Sequence, residues 1–512
     1  MSAKGSREGK PGSARQAALD QTPTAARPMS KTIRPAICGR EAEIRSAMAS
    51  GDRYWRERSP LQLQDLRAAF ACALHMHQPT IPAGAAGELI SHLQYMFEHP
   101  GEGDNHNAEP FAQCYRRLAD LMPQLIAEGC HPRIMLDVSG NLLWGAEQMG
   151  RSDITGAWRH LACDREMQQH VEWLGSFWSH AVAPSTPIPD LQLQIEAWQH
   201  QFAHAFGLEA LQRVRGFSPP EMALPNHPDT LYAFIEALQN CGYRWVLLQE
   251  HSVETLQGEP LSEAQKYLPN RLIARNGRGE SRAITALIKT QGSDTKLVGQ
   301  MQPCYEAISR DRLPLGDKQV PSLVSQIADG ENGGVMMNEF PPAFLAAHRR
   351  LAAEAGARTA ALNGSEYLEL LEAEGITAEQ FPAIQAVGQF QLYGQLGDRW
   401  SAEDLEETIR ARKAEDPGFS MDGASWTNDL SWVQGYESVL EPMQALSAAF
   451  HQRVSAATGT GPADTGSAAY QEALLHLLLL ETSCFRYWGQ GTWTGYAQEI
   501  HRRGQAALDY LE

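Results

Sequence analysis

The chain has no Cys-x-x-Cys pair. Its eight cysteines (Cys38, Cys72, Cys114, Cys130, Cys163, Cys241, Cys304 and Cys484) are scattered over 512 residues, a pattern that excludes a short-range disulfide framework and reads as reduced, mostly buried thiols in a cytosol. Long apolar runs are missing too. The longest, Leu474 to Leu480, is broken by His476 and is far too short to span a bilayer, and the N-terminus has no apolar signal-like stretch. The expectation is a cytoplasmic, soluble protein with no membrane partner. Basic charge is scarce: 43 Lys and Arg face 61 Asp and Glu, a net charge of −18. A phosphate backbone needs clustered cations, so this balance argues against nucleic acid and suits a neutral substrate. Residues 1–30 have almost no large apolar side chain and cannot offset their ordering entropy, so a disordered tail is expected, with Met29 as an alternative start. No internal repeat of fixed period is present.

What remains is an ordinary globular composition, 43% hydrophobic and 20% charged, with room for two or three domains or for one barrel with an appended domain. Between about 60 and 345, short apolar runs alternate with helical patterns. The runs are Ala71–His75, Arg133–Val138, Leu211–Gly216, Arg244–Leu248, Ala283–Ile288 and Ser322–Ala328; the helices include Glu88–Glu98, Glu109–Glu128 and Pro228–Cys241. Near-continuous apolar runs are what strands covered on both faces look like. The spacing predicts a parallel α/β fold over residues 31–345, most simply a barrel or a barrel missing a strand. Beyond 345 the strand signal fades, and Ala343–Ala357, Ser365–Gly375, Ser401–Glu415 and Ala468–Cys484 read as a helical unit, residues 346–512.

Residues able to do chemistry fall just after the strand-like runs, which in a parallel barrel form one shared mouth. His75 and His77 follow the first run, Asp137 and Gly140 the second, Glu221 the third, Glu250 and His251 the fourth, and Asp329 the last. Glu221 ends Gly-Phe-Ser-Pro-Pro-Glu, where Pro219 and Pro220 each fix φ and stop the strand, presenting the carboxylate on a stiff turn. Asp329 opens Asp-Gly-Glu-Asn-Gly-Gly, whose glycines allow a tight turn with Glu331 beyond it. The alternative for both acids is the common one, a solvated loop Glu and an Asp-Gly turn that hold nothing. His75 and His77, at i and i+2, share one side of an extended strand end. They read equally as hydrogen-bonded strand-end histidines, as zinc ligands lacking a third partner, or as groups gripping sugar hydroxyls. The last reading is preferred once the carboxylates are included, because glycosidic cleavage needs one ionised and one protonated carboxyl.

Five ordered stretches, His-Met-His-Gln-Pro (75–79), Ser-Gly-Asn-Leu-Leu (139–143), Gly-Phe-Ser-Pro-Pro-Glu (216–221), Ala-Asp-Gly-Glu-Asn-Gly (328–333) and Cys-Phe-Arg-Tyr-Trp-Gly-Gln-Gly (484–491), resemble the five sequence regions of glycoside hydrolase family 57. That family comprises retaining α-glucan enzymes (α-amylases, 4-α-glucanotransferases, branching enzymes, amylopullulanases) and some α-galactosidases, on an incomplete (β/α)7 barrel followed by a helical domain. The resemblance implies Glu221 as nucleophile and Asp329 as general acid/base, with His75, His77, Gln78, Glu331 and Trp488 contacting an α-glucan, and it implies no cofactor or metal. Two departures stand out. Phe217-Ser218 replaces a Trp common in the third region, and Cys484 stands near a usual Asp. Competing classes are a zinc-dependent carbohydrate hydrolase or deacetylase using His75 and His77, and a non-catalytic glycan-binding relative.

Overall fold

Ala68–Met76 (β1) is an alanine-rich strand with only His75 short of full burial, and the small side chains let neighbours close in on both edges. The computed structural model describes residues 33–51, 53–290, 296–331, 339–354, 358–426, 436–458, 463–487 and 491–511. The tail and Trp488 lie outside them. Residues 35–512 form one compact unit. Ten further strands share a sheet with β1: Ile134–Val138 (β2), Val171–Leu174 (β3), Gly216–Phe217 (β4), Trp245–Gln249 (β5), Val253–Thr255 (β6), Asn270–Arg275 (β7), Ser281–Lys289 (β8), Ser322–Asp329 (β9), Thr359–Ala361 (β10) and Ala383–Ala386 (β11).

The pairings β1–β2, β2–β3, β4–β5, β5–β8, β8–β9 and β9–β1 are all parallel. Between β3 and β4 a single parallel bridge joins Gly175 to Phe217, with the Gly175 N–H on the Gly216 carbonyl and the Ser218 N–H on the Gly175 carbonyl, both at 2.9 Å. The approach requires glycine on each side. A Cβ at Gly175 would stand 2.2 Å from the Tyr243 hydroxyl, and one at Gly216 would stand 2.2 Å from the Trp245 ring. The antiparallel pairs β7–β8 and β6–β11 extend the sheet, and helices such as Pro228–Asn240 and Ile188–Phe206 bury apolar faces in its core. Register sets His75 opposite both Asp137 on β2 and Asp329 on β9. Three chemistry-bearing residues therefore stand in one row at the C-terminal ends of adjacent parallel strands.

The run expected as a strand over Leu211–Gly216 is corrected. Leu208–Leu211 closes a short helical turn and only Gly216–Phe217 joins the ladder, because an apolar run of that length fits either geometry. The sequence reading also missed β3, β6, β7, β10 and β11. Of these, β10 and β11 follow residue 345, amid the helices Phe340–Ala353, Gly364–Ala373 and Ala402–Glu415. No helix among the described residues is long and apolar enough to cross a membrane.

Candidate active site

The end of β1 aims two imidazoles the same way, as its alternation requires. A third, His180, comes from the segment after β3 with φ +64° and stacks on both, its centroid 4.6 Å from His75 and 4.0 Å from His77. A bulky residue in the left-handed region costs roughly 1–2 kcal/mol, so surrounding contacts must hold it there. One of these is the bond between His180 Nδ1 and the Ser483 hydroxyl at 2.7 Å.

The stack holds its charge on one ring. Burial opposes protonation of His75, but the Asp137 carboxylate, 2.8 Å from Nδ1, outweighs it with help from Asp329 and Glu331 and carries His75 up to about 10. His77 and His180 are pushed well below the ordinary imidazole value, first by burial and then by neighbouring imidazoles, His75 among them. Neutral His77 has both nitrogens engaged: Nδ1 lies 2.8 Å from the Ser139 hydroxyl, which donates to Asn141 at 2.9 Å, and Nε2 lies 3.3 Å from Cys484 Sγ. Burial raises the Cys484 thiol to about 12, so it is the S–H that donates. The direction of the whole chain follows: thiol to Nε2, Nδ1–H to Ser139, Ser139 to Asn141.

Glu221 occupies the stiff turn expected of it, in an unusual conformation. Pro219 is extended, and Glu221 (φ 59°, ψ 16°) and Met222 (φ 48°) are both left-handed. The carboxyl is 16% exposed. The Trp426 indole N–H donates to Oε2 at 2.8 Å, and His180 Nδ1 lies 3.8 Å from Oε1. Burial raises Glu221, the Trp426 bond opposes this, the Asp329 charge raises it further, and His75 and Ser483 pull it down. The Asp329 charge thus bears on the ionisation of Glu221. Asp329, exposed at the end of β9, is followed by Gly330, whose N–H donates to the His75 carbonyl at 2.7 Å. Glu331 accepts from the His77 N–H at 2.9 Å and the Tyr115 hydroxyl at 2.6 Å through one oxygen. Burial lifts it to about 7 against those bonds. Gln78, 7% exposed, accepts from His92 at 3.1 Å.

Six of the seven sequence-derived site residues therefore gather at one end of the parallel strands, and the seventh is Trp488. Glu250 and His251 engage elsewhere, with Lys266 at 3.4 Å and the Ser425 carbonyl at 2.9 Å. The sequence reading missed His180, Trp426 and Ser483 and undervalued Asp137. His180 follows a strand too short to recognise, whereas Asp137 was visible as a charge inside an apolar run. Among the described residues no group of three or more His, Cys, Asp or Glu side chains is placed to hold a metal.

No protein-family model matches the chain, and no curated protein matches it. Solved structures do. A 4-α-glucanotransferase from Thermococcus litoralis superposes with TM-score 0.52 at 14% identity, over 86% of this chain and 60% of that one. The chain shares its fold. This chain spans three fifths of that enzyme's length. A GH57 branching enzyme from Thermococcus kodakaraensis (TM-score 0.44, 15% identity, 86% and 88% coverage) and the α-amylase AmyC from Thermotoga maritima (0.48, 9%, 87% and 92%) are also neighbours.

Proposed function

We propose that the protein belongs to glycoside hydrolase family 57 and is a retaining hydrolase or transglycosylase of α-glucans. In this reading residues 31–345 form a (β/α)7-type catalytic barrel, residues 346–512 a helical domain and residues 1–30 a tail. The succession of parallel pairings from β1 back to β1 supports the barrel. The observation that carries the function is that both acids meet the histidine stack at the strand C-termini, Glu221 at 3.8 Å from His180 and Asp329 opposite His75 in register.

Glu221 attacks the anomeric carbon while the Asp329 carboxyl protonates the departing oxygen, leaving a glycosyl ester on Glu221. The Asp329 carboxylate then deprotonates water or an acceptor hydroxyl, which displaces Glu221. The Trp426 N–H favours the ionised form of the nucleophile. His75, His77, Gln78 and Glu331 line the sugar site. The retaining route requires carboxyl groups about 5–5.5 Å apart, and more than about 10 Å would exclude it. Zinc chemistry is disfavoured at His77, both of whose nitrogens are engaged. The deciding experiment is incubation with maltooligosaccharides and product sizing. Shorter products indicate hydrolysis, longer ones transfer and α-1,6 linkages branching; no conversion at all removes the reading.

A further inference from the structure

A cavity of about 600 Å³ lies apart from every residue assigned above, within the range of about 300–1,000 Å³ usual for small-molecule sites. One wall is residues 184–189, just beyond His180. A second is one face of the helix Glu437–Thr458, where Leu440, Gln444, Ser447, Ala448 and His451 recur at helical spacing, and His227, Thr230, Met421 and Asp422 complete it. We propose that this cavity binds a neutral oligosaccharide arm of the substrate, as a glucan subsite outside the catalytic cluster. The proposal rests on the α-glucan reading above and assigns a place in the fold to the part of the chain outside the reacting bond.

The lining chemistry selects the ligand. It includes no Lys or Arg, which disfavours phosphorylated or carboxylated ligands. Its one carboxylate, Asp422, already has Ser420 at 2.8 Å and Lys413 at 3.7 Å. Its two histidines each face a carboxylate, His227 with Glu406 at 3.0 Å and His451 with Asp190 at 2.5 Å, and what remains is proline, leucine and methionine surface interleaved with neutral hydroxyl and amide groups, the mixture that meets the alternating CH faces and hydroxyls of a sugar. Ile188 on the rim is 45% exposed, among the most exposed of the large apolar side chains.

The walls are built rather than incidental. Asp190, fully buried, holds His451 Nε2 at 2.5 Å. Burial and the Asp190 charge push Glu481 well above the carboxylate range, and it bonds Asp190. Asp190 Oδ2 and Glu481 Oε1 have no other partner among the described residues. Two links tie the cavity to the catalytic turn. Arg486 donates to Ser185 in the wall while its charge interacts with Glu221, and Leu224, three residues after the nucleophile, bridges Ala424, next to the segment that supplies Asp422.

The test uses the full chain. Ala448→Trp puts an indole at the cavity from an exposed helix position, and Gln444→Ala removes a hydrogen-bonding group without adding bulk; melting temperatures confirm folding. In the Glu221→Gln background, calorimetric affinity for maltoheptaose is expected to fall about fivefold or more in Ala448→Trp and less in Gln444→Ala. With Glu221 intact, KM for maltoheptaose should rise likewise while kcat/KM for an aryl α-glucoside stays unchanged. Unchanged affinity and KM in both variants overturns the subsite. A wild-type chain inert toward α-glucans overturns the functional reading, yet leaves the cavity standing if Ala448→Trp still weakens maltoheptaose binding.

Discussion

The two ends of the parallel strands both bury charge, and they treat it oppositely. At the N-terminal end Arg133, fully buried, donates to Glu366 at 2.8 and 3.0 Å and to the Pro132 carbonyl at 3.1 Å. Glu172, raised to about 8 by burial despite its Ser365 partners, accepts the Ser365 hydroxyl at 2.5 Å and its N–H at 3.0 Å. None of these side chains has a buried polar atom without a partner. At the C-terminal end His75 Nε2, His180 Nε2, Asp137 Oδ1 and Asn141 Nδ2 are buried with no partner among the described residues. Each such atom costs about 1–3 kcal/mol. The Arg133–Glu366 and Glu172–Ser365 groups satisfy one another and hold the sheet together; the histidine cluster carries costs that hydroxyls brought by a ligand would relieve.

The largest expected effect comes from the second end. Glu221→Gln should lower turnover by about 10³-fold or more, even for substrates with excellent leaving groups, because no covalent intermediate forms. Asp329→Ala should keep the first step for an activated aryl glycoside and stall the second, with added azide restoring turnover to a product of retained configuration. Azide rescue with inversion in Asp329→Ala, or retention in Glu221→Ala, would reverse the two roles.

At the first end the effect should be on stability alone. Arg133→Met strands Glu366 as an uncompensated buried charge and should cost about 3–5 kcal/mol by denaturant unfolding, while activity per folded molecule holds. Arg133→Met with Glu366→Leu should recover most of that loss. A double variant as unstable as the single one would mean that the pair does more than neutralise itself.

The sequence exposed the second end far better than the first. The candidate acids and histidines sit on breaks in apolar runs, at Pro219-Pro220 or in His75-Met-His77, and such breaks are legible one residue at a time. The first end depends on Arg133 meeting Glu366 across 233 positions, and nothing local marks that pair. The same holds for His180 and Trp426, which reach Glu221 from 41 and 205 positions away. Strands β4, β6, β10 and β11 are two to four residues long, too short to show a period, and exist because neighbours pair with them. The helices past 345 were legible because amphipathic repeats need no distant partner.

A smaller effect separates the ends by pH. His75 is held up to about 10 by Asp137 against its burial. A group whose folded value exceeds its unfolded value of about 6.5 stabilises fully below that pH, and its contribution fades as pH rises through about 10. Wild-type denaturant midpoints should therefore decline across that window, and Asp137→Asn should flatten the decline while lowering activity. A decline that survives Asp137→Asn would place the alkaline titration elsewhere.

The smallest effect concerns one hydrogen bond. Burial and the Asp329 charge raise Glu221, and the Trp426 indole N–H lowers it by donating to the ionised form. Trp426→Phe keeps an aromatic ring and deletes that donor, so the Glu221 value must rise and the acid limb of kcat/KM must move to higher pH. A hydrogen bond to a charged group is worth about 1.5–3 kcal/mol, and one pH unit corresponds to about 1.4 kcal/mol, so a shift of about one to two units is expected. At pH values well above the limb Glu221 is ionised in both proteins, and the plateau should differ by less than about tenfold. A plateau loss without a limb shift would show that Trp426 acts by packing the turn at Glu221 and Met222. A limb shift toward lower pH would show that the titrating group is not the one that Trp426 touches.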